Sequence, residues 1–241
     1  LWAKHYRIDS FRFDLMGHQP REAMLRLQRA VDDAAGRHVD LIGEGWNFGE
    51  IANGARFVQA SQLSLNDSGI ASFSDRARDA LRGGGCCDSG EALMTQGLLN
   101  GLHYAPNAMA AGKDQREALL RAADMARVGL AGTLRDVRMT THDGASRRLA
   151  QIDYAGQPAG FVAQPGEVVN YVENHDNPTL FDILTLKLPR GTTREERVRT
   201  QLLGAAFVGF SQGIAYHHAG MEVLRSKSLD RNSFDSGDWF N

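Results

Sequence analysis

The sequence predicts an α/β fold built on a parallel sheet and, within that class, part of a (β/α)8 barrel rather than a closed one. Three observations carry this reading. A strand, an amphipathic helix and a second strand follow one another within about 35 residues, the βαβ unit of a parallel sheet. Each further candidate strand is followed by a helix or a long loop. Five candidate strands are found where a closed barrel needs eight, although 241 residues approach the length of about 250 typical of that fold.

The elements follow from the pattern. Residues 10–15 alternate Phe11 and Phe13 with Arg12 and Asp14, the period of a strand. Residues 20–35 read as a helix, with Pro20 suited to its first position and Met24, Leu27, Val31 and Ala34 at helical spacing. A short apolar strand, 39–43, ends at Glu44. A third strand is expected at 70–73, followed by a short helix at 75–81. The 85 residues from 83 to 167 form a long insertion with one good helix, 115–128, and much Gly, Asp and Arg. A buried strand is expected at 168–172. Thr193 and Glu196 form a capping box that starts a helix running to Phe207, and 213–216 is a last short strand. No internal repeat, low-complexity tract or linker divides the chain, so it reads as one unit.

Composition excludes several classes. With 42% apolar residues the chain can bury a core. Twenty-seven basic and 29 acidic side chains leave a net charge of −2, no electrostatic footprint for nucleic acid or an anionic membrane surface. No apolar run approaches the length of a membrane span, and no signal peptide is visible. The two cysteines, Cys86 and Cys87, are neighbours, so a disulfide-built fold is excluded.

The chemistry gathers at strand ends. Asp14 closes the first strand, Glu44 follows the second, and His175-Asp176 follows the strand at 168–172. In parallel α/β folds ligands bind at the carboxyl ends of strands, so these carboxylates can share one cleft despite their separation in sequence. Arg12 and Asp14 lie two apart on a strand and point to one face, where the guanidinium favours an ionised Asp14. Glu44 lies between Gly43 and Gly45-Trp46, where desolvation would favour its protonated form. One ionised and one protonated carboxyl is the pair used in retaining glycoside hydrolysis. Asp176 would then bind sugar hydroxyls and stabilise oxocarbenium-like charge. Taken alone, an Asp after a strand is as well a turn former or helix cap, and His175-Asp176-Asn177 an Asx turn. The flanking sequence decides between them.

FRFDLMGH (11–18), IGEGWNFGE (42–50) and VVNYVENHDN (168–177) resemble three of the conserved regions of glycoside hydrolase family 13, the α-amylase clan. FRFDLMG and GEGWNFGE are particular to its debranching branch, the pullulanases and limit dextrinases. So are GLAGTLRD (129–136), GQPAG (156–160) and the run AGMEVLRSKSLDRNSFDSGDWFN (219–241). The resemblance runs through nearly the whole chain. It implies Asp14 as nucleophile, Glu44 as general acid/base and Asp176 as transition-state stabiliser. Arg12 and His175 would hold the sugar in the cleaving subsite, Trp46 would stack on a glucose ring, and Asp230 and Arg231 would contact the neighbouring glucose.

The same resemblance implies that 1–241 is a partial catalytic barrel, about strands four to eight, with the N-terminal strands and accessory domains absent. The clan's first conserved motif is missing, and a fragment of this kind is expected to be inactive alone. The reaction implied is retaining hydrolysis of α-1,6-glucosidic links in pullulan, amylopectin or limit dextrin. Glycogen debranching, α-1,4 cleavage and a non-catalytic glucan-binding role are the alternatives. No organic cofactor and no metal ligand set are expected, although the resemblance allows calcium and, for compartment, secretion. Cys86-Cys87 replaces the Pro-aromatic pair usual after Gly-Gly-Gly, and His217-His218 lacks the partners of a zinc site.

Overall fold

The computed structural model describes residues 1–240; Asn241, the last residue of the 219–241 run, lies outside the described residues. Five strands, β1 (Ser10–Phe13), β2 (Asp40–Gly43), β3 (Ala71–Phe73), β8 (Val168–Asn170) and β9 (Ile214–Ala215), form one sheet. They are ordered β1-β2-β3-β8-β9 and all pair in parallel. These are the five strands expected, each trimmed by one or two residues. The sheet curls into half a barrel. A flat sheet would separate β1 from β8 by three spacings of about 4.8 Å, yet Arg12 Nη2 lies 3.5 Å from His175 Nε2 beyond β8.

Helices cover the outside. A short α1 (Trp2–His5) precedes β1, and α2 (Arg21–Ala35) follows it. Pro20 takes the cap position in extended conformation, φ −60° and ψ 134°, and not the first helical position that its ring suits. Met24 is the most deeply buried apolar residue of α2; Ala34, expected in the same stripe, is exposed, because the inward stripe runs through Gln28, Val31 and Ala35 instead. After β3 comes α3 (Asp75–Arg82), then the insertion, with α4 (Arg116–Leu130) and two small hairpins, β4–β5 (Arg138–Thr140, Ser146–Arg148) and β6–β7 (Asp153–Tyr154, Gln157–Pro158). After β8 come α5 (Leu180–Lys187) and α6 (Arg194–Phe210), the latter capped by Thr193 as its capping box predicts.

α5 was not expected from the sequence. It carries no amphipathic stripe because it is packed nearly all round, Leu180, Ile183 and Leu184 joining Ala77, Leu81, Val172 and Val208 in the largest apolar cluster. A second cluster, Met16, Met24, Leu41, Leu65 and Ile70 with Phe11 and Phe13, fills the space between β1–β2 and α2. A third lines the inner face of the curl: Ala71, Phe73, Val169 and Tyr171 with Ile42, Trp46, Ile214 and Tyr216. No helix of the described residues is long and apolar enough to cross a membrane.

Candidate active site

Strand alternation aims the first charged residues. Phe11 and Phe13 face α2, so Arg12 faces the interior of the curl, its guanidinium carbon 5.7 Å from the centroid of the Phe73 ring. Asp14 follows at the same parity, and Arg12 Nη1 donates to its Oδ1. Arg12 Nη2 donates to Glu44 Oε1 at 2.5 Å. One guanidinium therefore bridges the carboxylates at the ends of β1 and β2, which the register sets side by side through Phe13 and Gly43.

Glu44 is fixed by backbone as much as by charge. Leu15 turns into the left-handed region, φ 48°, and its N–H donates to Glu44 Oε2 at 2.9 Å. Gly17 N–H donates to the Glu44 carbonyl at 2.7 Å. That approach needs glycine, since a Cβ on Gly17 would lie 2.2 Å from Trp46 O. Gly45 is similarly confined, with Ser72 Oγ and Gln62 N under 3 Å from any added Cβ. The Glu44 side chain is 4% exposed, whereas that of Asp14 is 61% exposed. Burial raises the Glu44 pKa; the Leu15 N–H and Arg12 work against it, and the nearby carboxylates of Asp14 and Asp176 add to it.

The third carboxylate comes from the far side. The turn after β8 brings His175 Nε2 to 3.3 Å from Asp14 Oδ1 and 3.4 Å from Asp176 Oδ2. The His175 contact holds Asp176 below its ordinary pKa, and the same contact raises that of His175. Asn177, at φ 62°, closes the turn, its N–H donating to Arg231 O at 3.0 Å.

These groups border a cleft of about 710 Å³. Of the residues proposed from sequence, Glu44, Trp46, Asp176 and Arg231 line it. Arg12, Asp14 and His175 stand together beside it, and Asp230 does not line it, its Oδ1 accepting from Asn232 N at 2.8 Å. Trp46 is half-buried, with the Arg78 guanidinium 5.7 Å from its ring centroid and 5.5 Å from that of Tyr171. Arg78 was missed in the sequence because α3, reading DRARDALR, looks like a solvated face; in fact Arg76, Arg78 and Arg82 are all buried. Cys86 and Cys87 are free thiols at the cleft mouth, and burial together with the neighbouring sulfur pushes Cys86 up to about 11.

Asp14, Glu44 and His175 each place one donor atom within 4.8 Å of the others, the one compact donor cluster among the described residues. It does not fit calcium, which takes six to eight oxygen ligands. One of its donors is an imidazole, and Arg12 already occupies two of the three groups.

No protein-family model matches the chain. Over its whole length it is 45% identical to the pullulanase of Klebsiella pneumoniae and 42% identical to the chloroplastic pullulanase 1 of Arabidopsis thaliana. It spans 22% and 26% of those relatives, about a quarter of their length. Its structure superposes on the maltotriose complex of PulA from Klebsiella pneumoniae with a TM-score of 0.92 at 43% identity, covering 99% of this chain and 25% of that one. The apo pullulanase of Paenibacillus barengoltzii gives 0.69 at 31% identity, covering 98% and 29%.

Proposed function

We propose that this chain is the carboxylate-bearing part of a pullulanase-type catalytic barrel of the α-amylase clan, about its fourth to eighth strands, and that it cleaves α-1,6-glucosidic links with retention. The observation that carries the reading is the Arg12 bridge, which gathers Asp14 and Glu44 from adjacent strand ends with Asp176 close by. The substrates are pullulan, amylopectin and limit dextrin.

Each role has its support. Glu44, buried and raised in pKa, is suited to protonate the glycosidic oxygen as the bond to the anomeric carbon breaks. Asp14, the exposed partner, attacks that carbon and forms the glucosyl-enzyme. Glu44, now ionised, removes a proton from the water that releases the sugar. An oxygen of Asp14 and one of Glu44 lie within 4.8 Å, nearer to the roughly 5–5.5 Å of retaining enzymes than to the roughly 6.5–9.5 Å that admits a water in inverting ones. Asp176, kept ionised by His175, faces the positive charge that develops on the ring. Arg12 and His175 hold the reacting sugar, Trp46 offers its ring to a glucose face, and Arg231 serves the next glucose. No step runs through a metal or an organic cofactor.

The test is a chimera of the Klebsiella pneumoniae pullulanase in which this chain replaces its matching segment. Reducing ends released from pullulan and from linear maltodextrin are compared. Hydrolysis of pullulan with little attack on maltodextrin is expected. A folded chimera that prefers maltodextrin, or binds glucan without cutting it, would overturn the assignment.

A further inference from the structure

Residues 224–233 form a strap across the turn that carries His175 and Asp176. Its backbone is strained: Leu224, Ser228 and Leu229 hold φ values of 61°, 53° and 68° without being glycine. Such conformations persist only where the surroundings over-determine them, and they cluster at functional sites. Here the fixings are specific. Asp182, in the first turn of α5, accepts from Ser226 Oγ at 2.5 Å and from Lys227 N at 2.8 Å. Arg231 Nη1 donates to Asp88 O at 2.9 Å, and Arg231 O accepts from Asn177 N.

The centre of the strap is a buried cation. Lys227 is 2% exposed. Its Nζ donates to the His175 carbonyl at 2.5 Å and to Ser233 Oγ at 3.1 Å, and Ser233 Oγ contacts the same carbonyl at 3.2 Å. Burial lowers the pKa of Lys227, and the carboxylates of Asp230, Asp176 and Asp182 work against that. Stability alone gives little reason for such a group, since apolar residues of similar volume replace buried charges at no cost in many proteins. What an apolar side chain cannot supply is a donor to the His175 carbonyl.

We propose that Lys227 is a positioning residue: it fixes the His175–Asp176 turn from inside the protein and ties it to the strand of chain that presents Arg231 to the cleft. The proposal rests on the functional reading above. His175 Nε2 makes contacts of 3.3 and 3.4 Å with Asp14 and Asp176, and a small shift of its backbone breaks both. Glucan held at Arg231 and alignment of Asp176 at the reacting sugar are then mechanically joined.

The test uses the chimera with Lys227→Met, Lys227→Arg and Ser233→Ala, read by pullulan kinetics, maltotriose affinity and a pH titration of 13C-labelled histidine. In Lys227→Met the expected fall in kcat is about 10²-fold, the scale of a misplacement of roughly 1 Å, with maltotriose affinity retained. The His175 midpoint should fall back toward its ordinary value of 6.5. Lys227→Arg should recover part of both readouts, and Ser233→Ala should move them the same way by less. A folded Lys227→Met protein with unchanged kcat and unchanged His175 midpoint overturns the proposal, as does a lowered Tm with both unchanged. Should Lys227→Met fail to fold, Ser233→Ala decides, and an unmoved His175 midpoint there is equally fatal. An unmutated chimera with no action on pullulan would sink the functional reading, while the His175 midpoint would still judge Lys227.

Discussion

Glu44 and Asp124 each have a side chain 4% exposed and an arginine in contact, yet their proton affinities move in opposite directions. Burial raises both. Around Glu44 the opposing groups are one backbone N–H and Arg12, and two further carboxylates press the same way as burial. Around Asp124 the His142 ring stands 2.6 Å away, the His142 N–H donates at 3.1 Å, and Arg127 donates as well, so the balance falls below the ordinary value. Exposure alone does not set protonation; depth of burial and the balance of donors against competing carboxylates do. The cleft crowds three carboxylates round one arginine and can hold a proton there, whereas the outer face of α4 matches its carboxylates with cations and holds none.

The two regions also differ in what they depend on, and the largest expected effect exploits this. Asp124 takes its partners from α4 and the adjoining β4–β5 hairpin, all within one short stretch of chain. Glu44 depends on a sheet in which, among the described residues, β1 pairs only with β2 and β9 only with β8. Open strand edges and the exposed Leu202, Leu203 and Phe210 of α6 favour self-association. Residues 1–241 expressed alone should therefore show no measurable pullulan hydrolysis and a broad thermal transition, with amide protection surviving longest around α4. A sharp melt with turnover near that of a full-length relative would erase the contrast. Next in size, Glu44→Gln in the chimera should cost about 10²- to 10⁴-fold in pullulan turnover and keep maltotriose binding. Asp124→Asn should leave turnover as it was and lower Tm.

How much of this was legible in the sequence differs between the same regions. All five sheet strands could be read, because alternation and short apolar runs are local signals, whereas Asp14, Glu44 and Asp176 were singled out by their flanking sequence and not by strand-end placement alone. The protonation contrast could not be read, since it depends on which groups the fold brings near a carboxylate from far along the chain. α5 hid for a physical reason: a helix buried all round shows no 3.6-residue stripe, and only Thr179 with Asp182 three residues on marks its start. The β4–β5 hairpin had a signal in Asp143-Gly144 that the apparent looseness of the insertion concealed. Lys227 carries no mark in the sequence, since nothing local distinguishes a lysine that will meet a carbonyl 52 residues away.

A smaller effect sharpens the cleft side. If Glu44 is the acid, hydrolysis falls as pH rises through its raised pKa. Arg12 is among the groups that lower that pKa, so Arg12→Met should move it further up. In the pH profile of kcat/KM the alkaline limb of the residual activity should then lie at higher pH than in the unmutated chimera. A limb that stays in place, or moves down, removes Glu44 as its source.

The smallest effect belongs to the outer face of α4 and has a sign that can be worked out. His142 lies between Asp124 Oδ2 at 2.6 Å and Glu117 Oε1 at 3.1 Å, and its contact with Asp124 raises its pKa above the ordinary 6.5. A group raised on folding stabilises fully below its unfolded pKa and stops doing so as pH climbs through its folded value. Asp124, lowered from 3.8, contributes above that value and loses its contribution as pH falls through its folded pKa. The two windows overlap between about pH 4 and 6.5, where aspartate is already charged and histidine still is. His142→Gln keeps an amide donor but no charge. The Tm gap between the chimera and its His142→Gln variant should therefore be widest in that interval and close as pH rises through the folded value of His142. Added salt should narrow it, because the ring and Glu117 are partly open to solvent and such pairs are screened. A gap that stays constant from pH 5 to pH 9 would mean that His142 acts there only as a neutral hydrogen-bonding group. The opposition between the two buried carboxylates would then rest on Arg127 and neutral donors, with no imidazolium charge.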